Sequence, residues 1–485
     1  MFVTLVLTPV VRSWSIRHHL LDRATQFHTT HTIAVPRLGG VSLVVSFVVI
    51  FVILVTLVVN SEASFRVPEE GWTMLATCAA MFGLGFWDDI RPLGAREKLI
   101  IQILIAWVAY LGGLRIGQFI DPFTRTIYVF EWLDLPLTIL WLVGVTNLIN
   151  LMDGIDGLAA GLTLLLMLLL SMMVLLPMLS GLGGNTFSLL LSVGMGGALC
   201  GFLFYNFPPA KIFMGDGGAY FLGLLIAELA LLNSNKGEVA GALIVPFFAL
   251  GLPIIDTCFT IFRRGLVGLP IFRADRKHIH HRLVGMGFSQ QRVVVLLYAI
   301  CVFFALLALC AFVSRGRWAP VILGVFMLVA LLSARLFGYV QDWYKLGRVL
   351  TDSVIRRKHT RYALVLGELL LLEAERSGTL DDLWGHFGLV LQKLGFSRVI
   401  LRSSRAARDS GATQRDWNLS AAISQPPSGE RSMTQELRGN SPSEMLFFCN
   451  SQRWDEDTHR LLSELAAESW VRASARWQSM RQISR

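Results

Sequence analysis

Apolar runs about 17–25 residues long, the length a helix needs to cross a bilayer, recur from Phe2 to Phe337. Eleven can be marked: Phe2–Ile16, Gly40–Val59, Trp72–Trp87, Lys98–Leu114, Leu135–Leu151, Leu158–Leu179, Phe187–Tyr205, Tyr220–Leu232, Ala240–Phe262, Arg292–Val313 and Ala319–Phe337. The first is short for a span, and Tyr220–Leu232 is both short and Gly-containing. Of the 485 residues 54% are hydrophobic and only 16% charged, less charge than a soluble chain of this length would carry. The expected fold is an all-α polytopic membrane protein of about eleven transmembrane helices over residues 1–338. A basic amphipathic linker (339–362) and a small C-terminal α/β cytoplasmic domain (363–485) should follow.

The polar residues collect in short loops and in the last third of the chain. One set of alternate loops holds Arg12, Arg17, Arg23, Arg37, Arg91, Arg96, Lys98, Lys211, Arg263, Arg264, Arg273, Arg276, Lys277 and Arg282. The other holds only Arg66, Arg115, Arg125, Lys236, Arg315 and Arg317. Cytoplasmic loops are the richer in Lys and Arg, so the first set is expected inside. The net charge of +9 therefore reads as membrane topology, with no nucleic-acid partner. The N-terminus lacks the basic start and small-residue cleavage site of a signal peptide. The six cysteines form no CxxC pair, and all but Cys449 lie in apolar runs. Buried small hydrophobes are expected, and neither a disulfide framework nor a zinc site.

After Phe337 the character changes. Residues 339–360 are basic and amphipathic, with Arg356, Arg357 and Lys358 together. Helical patterns follow at Ala363–Glu375, Leu380–Leu394 and Thr458–Trp477, with strands expected at Arg398–Arg402 and Met445–Cys449. Residues 403–443, rich in Ser, Arg, Gln, Gly and Pro, are expected to be mobile in part. The order of elements suggests a GAF-like unit whose ligand or partner is unknown.

The unusual polar clusters all fall in the basic set of loops. Asp88-Asp89 ends one span and Lys98 begins the next. A charged Asp at a helix centre costs about 3 kcal/mol on insertion scales, so carboxylates at a membrane boundary usually have a task. Here that task is base or magnesium-associated acid, with Lys98 placed to neutralise phosphate oxygens. In Asn147-Leu-Ile-Asn150-Leu-Met-Asp153-Gly-Ile-Asp156-Gly157, Asn150, Asp153 and Asp156 recur every third residue. That spacing predicts one face of a helical turn, bearing the hard oxygen ligands that Mg²⁺ prefers. In Asn206-Phe-Pro-Pro-Ala-Lys211-Ile-Phe213-Met-Gly215-Asp216-Gly-Gly, paired prolines break a span, and a Gly-rich turn surrounds one acid. Asp216 reads as a metal ligand, Lys211 as a phosphate contact, and Phe213 either as a ring for stacking on a nucleobase or as ordinary lipid or core packing. The fourth cluster is Arg273-Ala-Asp275-Arg276-Lys277-His278-Ile-His280-His281-Arg282. No Cys or catalytic Glu accompanies the histidines and the flanks are basic, so sugar and diphosphate oxygens fit better than zinc.

Together with Pro36-Arg-Leu-Gly39-Gly40 these strings, in this order, resemble the polyprenyl-phosphate N-acetylhexosamine-phosphate transferases, over roughly Val35 to Gly287. His278-Ile-His280-His281-Arg282 looks closer to the bacterial undecaprenyl-phosphate GlcNAc-phosphate branch than to the MurNAc-pentapeptide branch, whose loop usually has three consecutive histidines. One departure is the segment Asp22-Arg-Ala-Thr-Gln-Phe-His28-Thr-Thr-His31, which lacks the Arg-Lys pair of related members.

The resemblance implies transfer of an N-acetylhexosamine phosphate, GlcNAc by preference, from a UDP-sugar to undecaprenyl phosphate, with release of UMP. It implies Mg²⁺, with Mn²⁺ as an alternative, and a place at the first membrane step of cell-surface polysaccharide synthesis. It places the chain in the bacterial inner membrane, with a homodimer as an option. By the same resemblance Asp88 is the base, Asp89 and Lys98 support it, and Asp153 orients metal or phosphates. Asn150 and Asp216 are metal ligands, and Asp156, Asn206 and Phe213 bind uridine. Arg276, His278, His280 and His281 meet sugar and diphosphate. The competing expectations are a phospho-MurNAc-pentapeptide transferase, a transporter with acids along its pathway, and a sensor whose membrane part is only an anchor.

Overall fold

In a computed structural model of the chain, the described residues are 1–18, 21–22, 35–60, 66–120, 127–129, 132–181, 183–234, 246–267, 283–314, 318–336, 346–403, 415–418, 430–437, 443–450 and 454–483. Their elements form two compact units.

The first unit is a helical bundle. Its helices are α1 (Phe2–Arg17), α2 (Gly40–Asn60), α3 (Glu69–Ile90), α4 (Ala95–Leu111), α5 (Asp134–Met152), α6 (Leu158–Leu179), α7 (Thr186–Asn206) and α8 (Gly215–Ser234). They are followed by α9 (Gly251–Val267), which belongs to this unit as far as Thr260, and by α10 (Gln290–Val313) and α11 (Ala319–Leu336). Two small antiparallel ribbons, β1–β2 (Leu21–Asp22 with Val35–Pro36) and β3–β4 (Gln118–Ile120 with Ile127–Val129), join them.

Six helical segments are long and apolar enough to cross a membrane among the described residues: Gly40–Val58, Asp134–Met152, Leu158–Leu179, Thr186–Asn206, Gly215–Asn233 and Gln290–Val313. Six of the eleven expected spans thus meet the length and hydropathy of a crossing helix. Helices α1, α4 and α9 have 16, 17 and 17 residues, and α11 offers only the shorter apolar stretch Pro320–Val329. Helix α3 is long enough, at 22 residues, but starts on Glu69-Glu70 and closes on Asp88-Asp89, with Gly, Thr and Trp between. In the six spans the apolar sequence becomes helix because a backbone in lipid must satisfy its own polar groups.

The core centres on α8. Its spanning window is 94% buried, and it packs against α3, α5, α2, α6 and α7. The sequence reading marked this segment as a short and marginal span; it is the axis of the bundle. Small residues explain both facts, since they lower hydropathy while letting backbones approach. A Cβ on Gly40 would lie 2.5 Å from Gly218 Cα, and one on Gly85 2.5 Å from the Asp216 carbonyl oxygen. Helix α8 also buries Glu228 completely. Its Oε1 lies 2.6 Å from Thr77 Oγ1 and its Oε2 3.3 Å from Cys78 Sγ, both on α3. A polar group buried in this way costs stability when its partners are lost. Glu228→Gln should stay within about 1 kcal/mol of the native protein, because the amide keeps an acceptor and the volume. Glu228→Ala should lose about 2 kcal/mol or more, from an orphaned thiol and a cavity. Denaturant unfolding in mild detergent checks both.

The second unit comprises α12 (Leu346–Arg376), α13 (Leu380–Leu394), a four-stranded antiparallel sheet and α14 (Glu456–Ile483). Helix α12 runs unbroken through position 362, where the sequence suggested that a linker ends. Thr379 and Asp382 form a reciprocal capping box at the start of α13, and Gly395 closes that helix in the left-handed region at φ 88°. The sheet order is β6–β5–β8–β7, with β5 Arg398–Ser403, β6 Arg415–Asn418, β7 Glu430–Leu437 and β8 Ser443–Asn450. Met445, Phe447 and Cys449 alternate inward onto a core with Phe387, Leu391 and Trp470. The two expected strands are the central pair. The two edge strands fall inside the segment expected to be partly mobile. Edge strands carry polar and charged residues that discourage pairing with other chains, so β6 and β7 read as loop.

Candidate active site

The C-terminal turn of α3 carries Asp88 and Asp89, and their side chains leave the helix in different directions, as neighbours on a helix must. Asp88, 7% exposed, faces α4. Its Oδ1 accepts from the Leu93 N–H at 2.7 Å, which shapes the α3–α4 turn. Its Oδ2 is paired with the Lys98 ammonium. Lys98 also stands 3.5 Å from Asp216 Oδ2, so one cation links the first and third sequence clusters. Asp89 turns to α8, where its two oxygens accept from the N–H groups of Asp216 and Gly217, each at 3.0 Å. Those donors belong to the first turn of α8 and have no partner within their own helix. Asp89 therefore caps α8 from another helix.

The Pro36-Arg-Leu-Gly39-Gly40 string is tied to the same place through backbone. Phe213 N donates to Pro36 O (2.8 Å), Gly39 N to Phe213 O (2.9 Å) and Gly40 N to Met214 O (2.8 Å). Gly215, at φ +77°, turns the chain into α8 directly over Asp89. Phe213 is half-buried.

The second cluster is arranged otherwise than its spacing predicted. Helix α5 ends at Met152, so Asn150 lies on its last turn, Asp153 is its C-cap, and Asp156 sits in the connection to α6. The three do not share a helical face. Gly154 and Gly157 favour leaving the helix, and Gly157 adopts φ +75°. Asp156, buried, accepts from Ala210 N at 2.9 Å. Asn206, buried at the end of α7, accepts from Gly157 N at 3.1 Å and donates to Ile212 O at 2.9 Å. The second and third clusters are thus stitched together by side chains that the sequence marked for the nucleotide.

Burial first, then the negative fields of Asp216, Asp89 and Asp156, holds the Asp153 carboxyl well above the usual carboxylate range, against the opposing field of Arg37. Five carboxylates, Asp88, Asp89, Asp153, Asp156 and Asp216, therefore share one neighbourhood with Lys98 and Arg37. Among the described residues no group of three His, Cys, Asp or Glu side chains is gathered to hold a metal ion by itself. Lys211 is exposed; its Nζ lies 6.0 Å over the Phe204 ring, and its carbonyl accepts from Arg12 Nε at 3.0 Å. Arg276, His278, His280 and His281 lie outside the described residues.

Residue-level reading of the sequence missed three contributors. Arg37 was counted among the basic loop residues but given no role at the site, where its field acts on Asp153. Gly85 lies in the Gly-Phe-Trp-Asp-Asp string and marks the crossing of α3 and α8. Gln102, one turn beyond Lys98, is buried and accepts from Asn147 Nδ2 at 2.7 Å; a polar residue inside an apolar run was the available signal.

A family model described as glycosyl transferase family 4 matches residues 72–234, from α3 through α8. A probable undecaprenyl-phosphate N-acetylglucosaminyl 1-phosphate transferase of Bacillus subtilis (strain 168) is 35% identical over 348 residues, covering 71% of this chain and 92% of that protein. A phospho-N-acetylmuramoyl-pentapeptide-transferase of Shouchella clausii is 31% identical over 325 residues, covering 64% and 92%. A decaprenyl-phosphate N-acetylglucosaminephosphotransferase of Mycobacterium tuberculosis (strain H37Rv) is 31% identical over 292 residues, covering 57% and 71%.

Proposed function

Since the chain belongs to glycosyl transferase family 4, we propose that it moves an N-acetylhexosamine phosphate, GlcNAc phosphate, from a UDP-sugar to undecaprenyl phosphate and releases UMP. The observation that carries this reading is the Asp88–Lys98–Asp216 link, which joins two sequence clusters into one site where charge of both signs can meet phosphate. GlcNAc is favoured because the Bacillus relative is more similar, over more of this chain, than the Shouchella muramoyl transferase.

The lipid phosphate oxygen attacks the β-phosphorus of the UDP-sugar; that P–O bond forms as the bond to UMP breaks. A phosphate monoester is mostly a dianion at neutral pH, with its second pKa near ~6. Asp88 therefore positions the nucleophile more than it deprotonates it, and Lys98 neutralises its oxygens. Asp89 fixes the first turn of α8, and Asp153 orients the phosphates. Asp156, Asn206 and Phe213 form the uridine end. Arg276, His278, His280 and His281 meet sugar and diphosphate.

Mg²⁺ fits these residues. It is usually held by one or two carboxylates plus substrate phosphates, not by an all-protein cage, which agrees with described residues that offer no set of three side chains gathered as a metal cage. The negative field that raises Asp153 is one a divalent cation relieves. Asn150 and Asp216 would hold the ion, which supplies charge neutralisation to the diphosphate. The excess of Lys and Arg in the loops that carry these motifs supports a site on the cytoplasmic face of a bacterial inner membrane.

Purified protein with undecaprenyl phosphate and UDP-GlcNAc should release UMP, lose at least about 100-fold in rate on chelation, and recover with Mg²⁺. No release under these conditions sinks the reading. Release with UDP-MurNAc-pentapeptide in place of UDP-GlcNAc moves the protein to the second substrate, which the Shouchella relative keeps in play.

A further inference from the structure

Helix α10 lies beyond the residues matched by the family model, yet it reaches both loops at the nucleotide end of the site. The Tyr298 hydroxyl donates to the Gly157 carbonyl. Gln291 Nε2 donates to the Pro208 carbonyl at 2.9 Å. Gly157 follows Asp156, and Pro208 lies between Asn206 and Ala210. The two loops already bind each other through Asp156 to Ala210 N and Asn206 to Gly157 N. Gly157 is therefore held by its N–H from one side and by its carbonyl from the other, in a backbone conformation of φ +75°.

The fit of the tyrosine is close. A Cβ on Gly161, in the first turn of α6, would stand 2.0 Å from the Tyr298 hydroxyl oxygen and 2.1 Å from the ring carbon that bears it. The phenol thus fills the notch that glycine leaves, and its hydroxyl ends on the turn that presents Asp156.

We propose that Tyr298 and Gln291 are positioning residues: they brace the Asp156 and Asn206 loops from α10 and so set the affinity for the uridine nucleotide without touching it. This rests on the proposed use of a UDP-sugar. A binding group is effective only when the shell behind it fixes its geometry. Losing one such hydrogen bond costs a factor of about 5–30 in affinity, the equivalent of a typical buried bond.

Tyr298→Phe keeps the ring in its notch and removes only the hydroxyl. It should raise KM for UDP-GlcNAc and the inhibition constant of UMP by the same factor, about 5–30. KM for undecaprenyl phosphate and the thermal midpoint should stay at their native values. Gln291→Ala, at the more exposed end of the brace, should shift the same two constants in the same direction. Calorimetric binding of UMP to native and variant protein in detergent gives the readout independent of turnover. Unchanged UMP affinity in both variants, with the native protein binding UMP, overturns the brace and leaves the proposed function standing. So does an equal fall in rate for both substrates with a lowered thermal midpoint, which is a purely structural effect. A native protein that binds neither UMP nor UDP-GlcNAc overturns the brace and the proposed function together.

Discussion

Asp88→Asn should reduce UMP release by at least about 10²–10³-fold, the scale of removing one preorganised electrostatic group from a site of this kind, while binding of UMP changes little. The geometry separates the two effects. An asparagine oxygen can still accept from Leu93 N, so the α3–α4 turn keeps its shape. The amide nitrogen would then face the Lys98 ammonium in place of a carboxylate, donor against donor. Lys98 is left with Asp216, 3.5 Å away, and is drawn toward the residue proposed to hold the metal. The proposed nucleotide end, held by Asp156, Asn206 and Gly157, shares no hydrogen bond with Asp88 among the described residues. Steady-state UMP release and calorimetric UMP binding on the same preparation check the split. Turnover within a few-fold of native would remove Asp88 from the reaction. Loss of UMP binding in parallel with turnover would make Asp88 a structural residue instead.

The same pair of aspartates shows how far the sequence reads. Two acids closing an apolar run are conspicuous, because charge at a membrane boundary is costly. Their adjacency invites one role for both. On a helix, however, successive side chains diverge, and Asp88 goes to Lys98 while Asp89 goes to the N–H groups of Asp216 and Gly217. That division depends on which helix packs on each side, and local spacing carries no such information. Asn150, Asp153 and Asp156 erred the other way: a period of three is helical only if the helix continues, and it stops at Met152. Hydropathy found the lipid-facing helices and undervalued α8, whose glycines make it a poor span by composition and the best-packed helix in fact. The Tyr298 and Gln291 contacts had no legible signal, since a tyrosine on an apolar run is ordinary until the glycine that it fills is known. In the second unit the apolar central strands β5 and β8 were legible, and the polar edges β6 and β7 were not.

The glycine contacts lead to the second large effect, from a change that removes no functional group. Gly85→Ala should lower transfer about 100-fold, the scale on which a displacement near 1 Å costs rate, and should lower stability by about 1–3 kcal/mol through overpacking. The added Cβ would stand 2.5 Å from the Asp216 carbonyl oxygen and 2.6 Å from both the Asp216 carbonyl carbon and Gly217 Cα. These are backbone atoms of α8, with no rotamer to yield, so α3 and α8 must part. Asp88 and Asp89 ride on α3, one turn from the contact, and Asp216 rides on α8. Separation therefore lengthens the Asp89 cap and moves the acids relative to Lys98 at once. Gly83→Ala is the internal control, on the same helix two residues earlier, where a Cβ meets nothing within 4 Å. There alanine should be neutral or stabilising by up to about 1 kcal/mol, as expected for replacing glycine inside a helix. Unfolding and UMP release measured on the two variants side by side separate crowding at the α3–α8 crossing from the general effect of glycine replacement. Equal behaviour of the two would show that the crossing tolerates a methyl group, and that the carboxylates do not depend on how closely these helices approach.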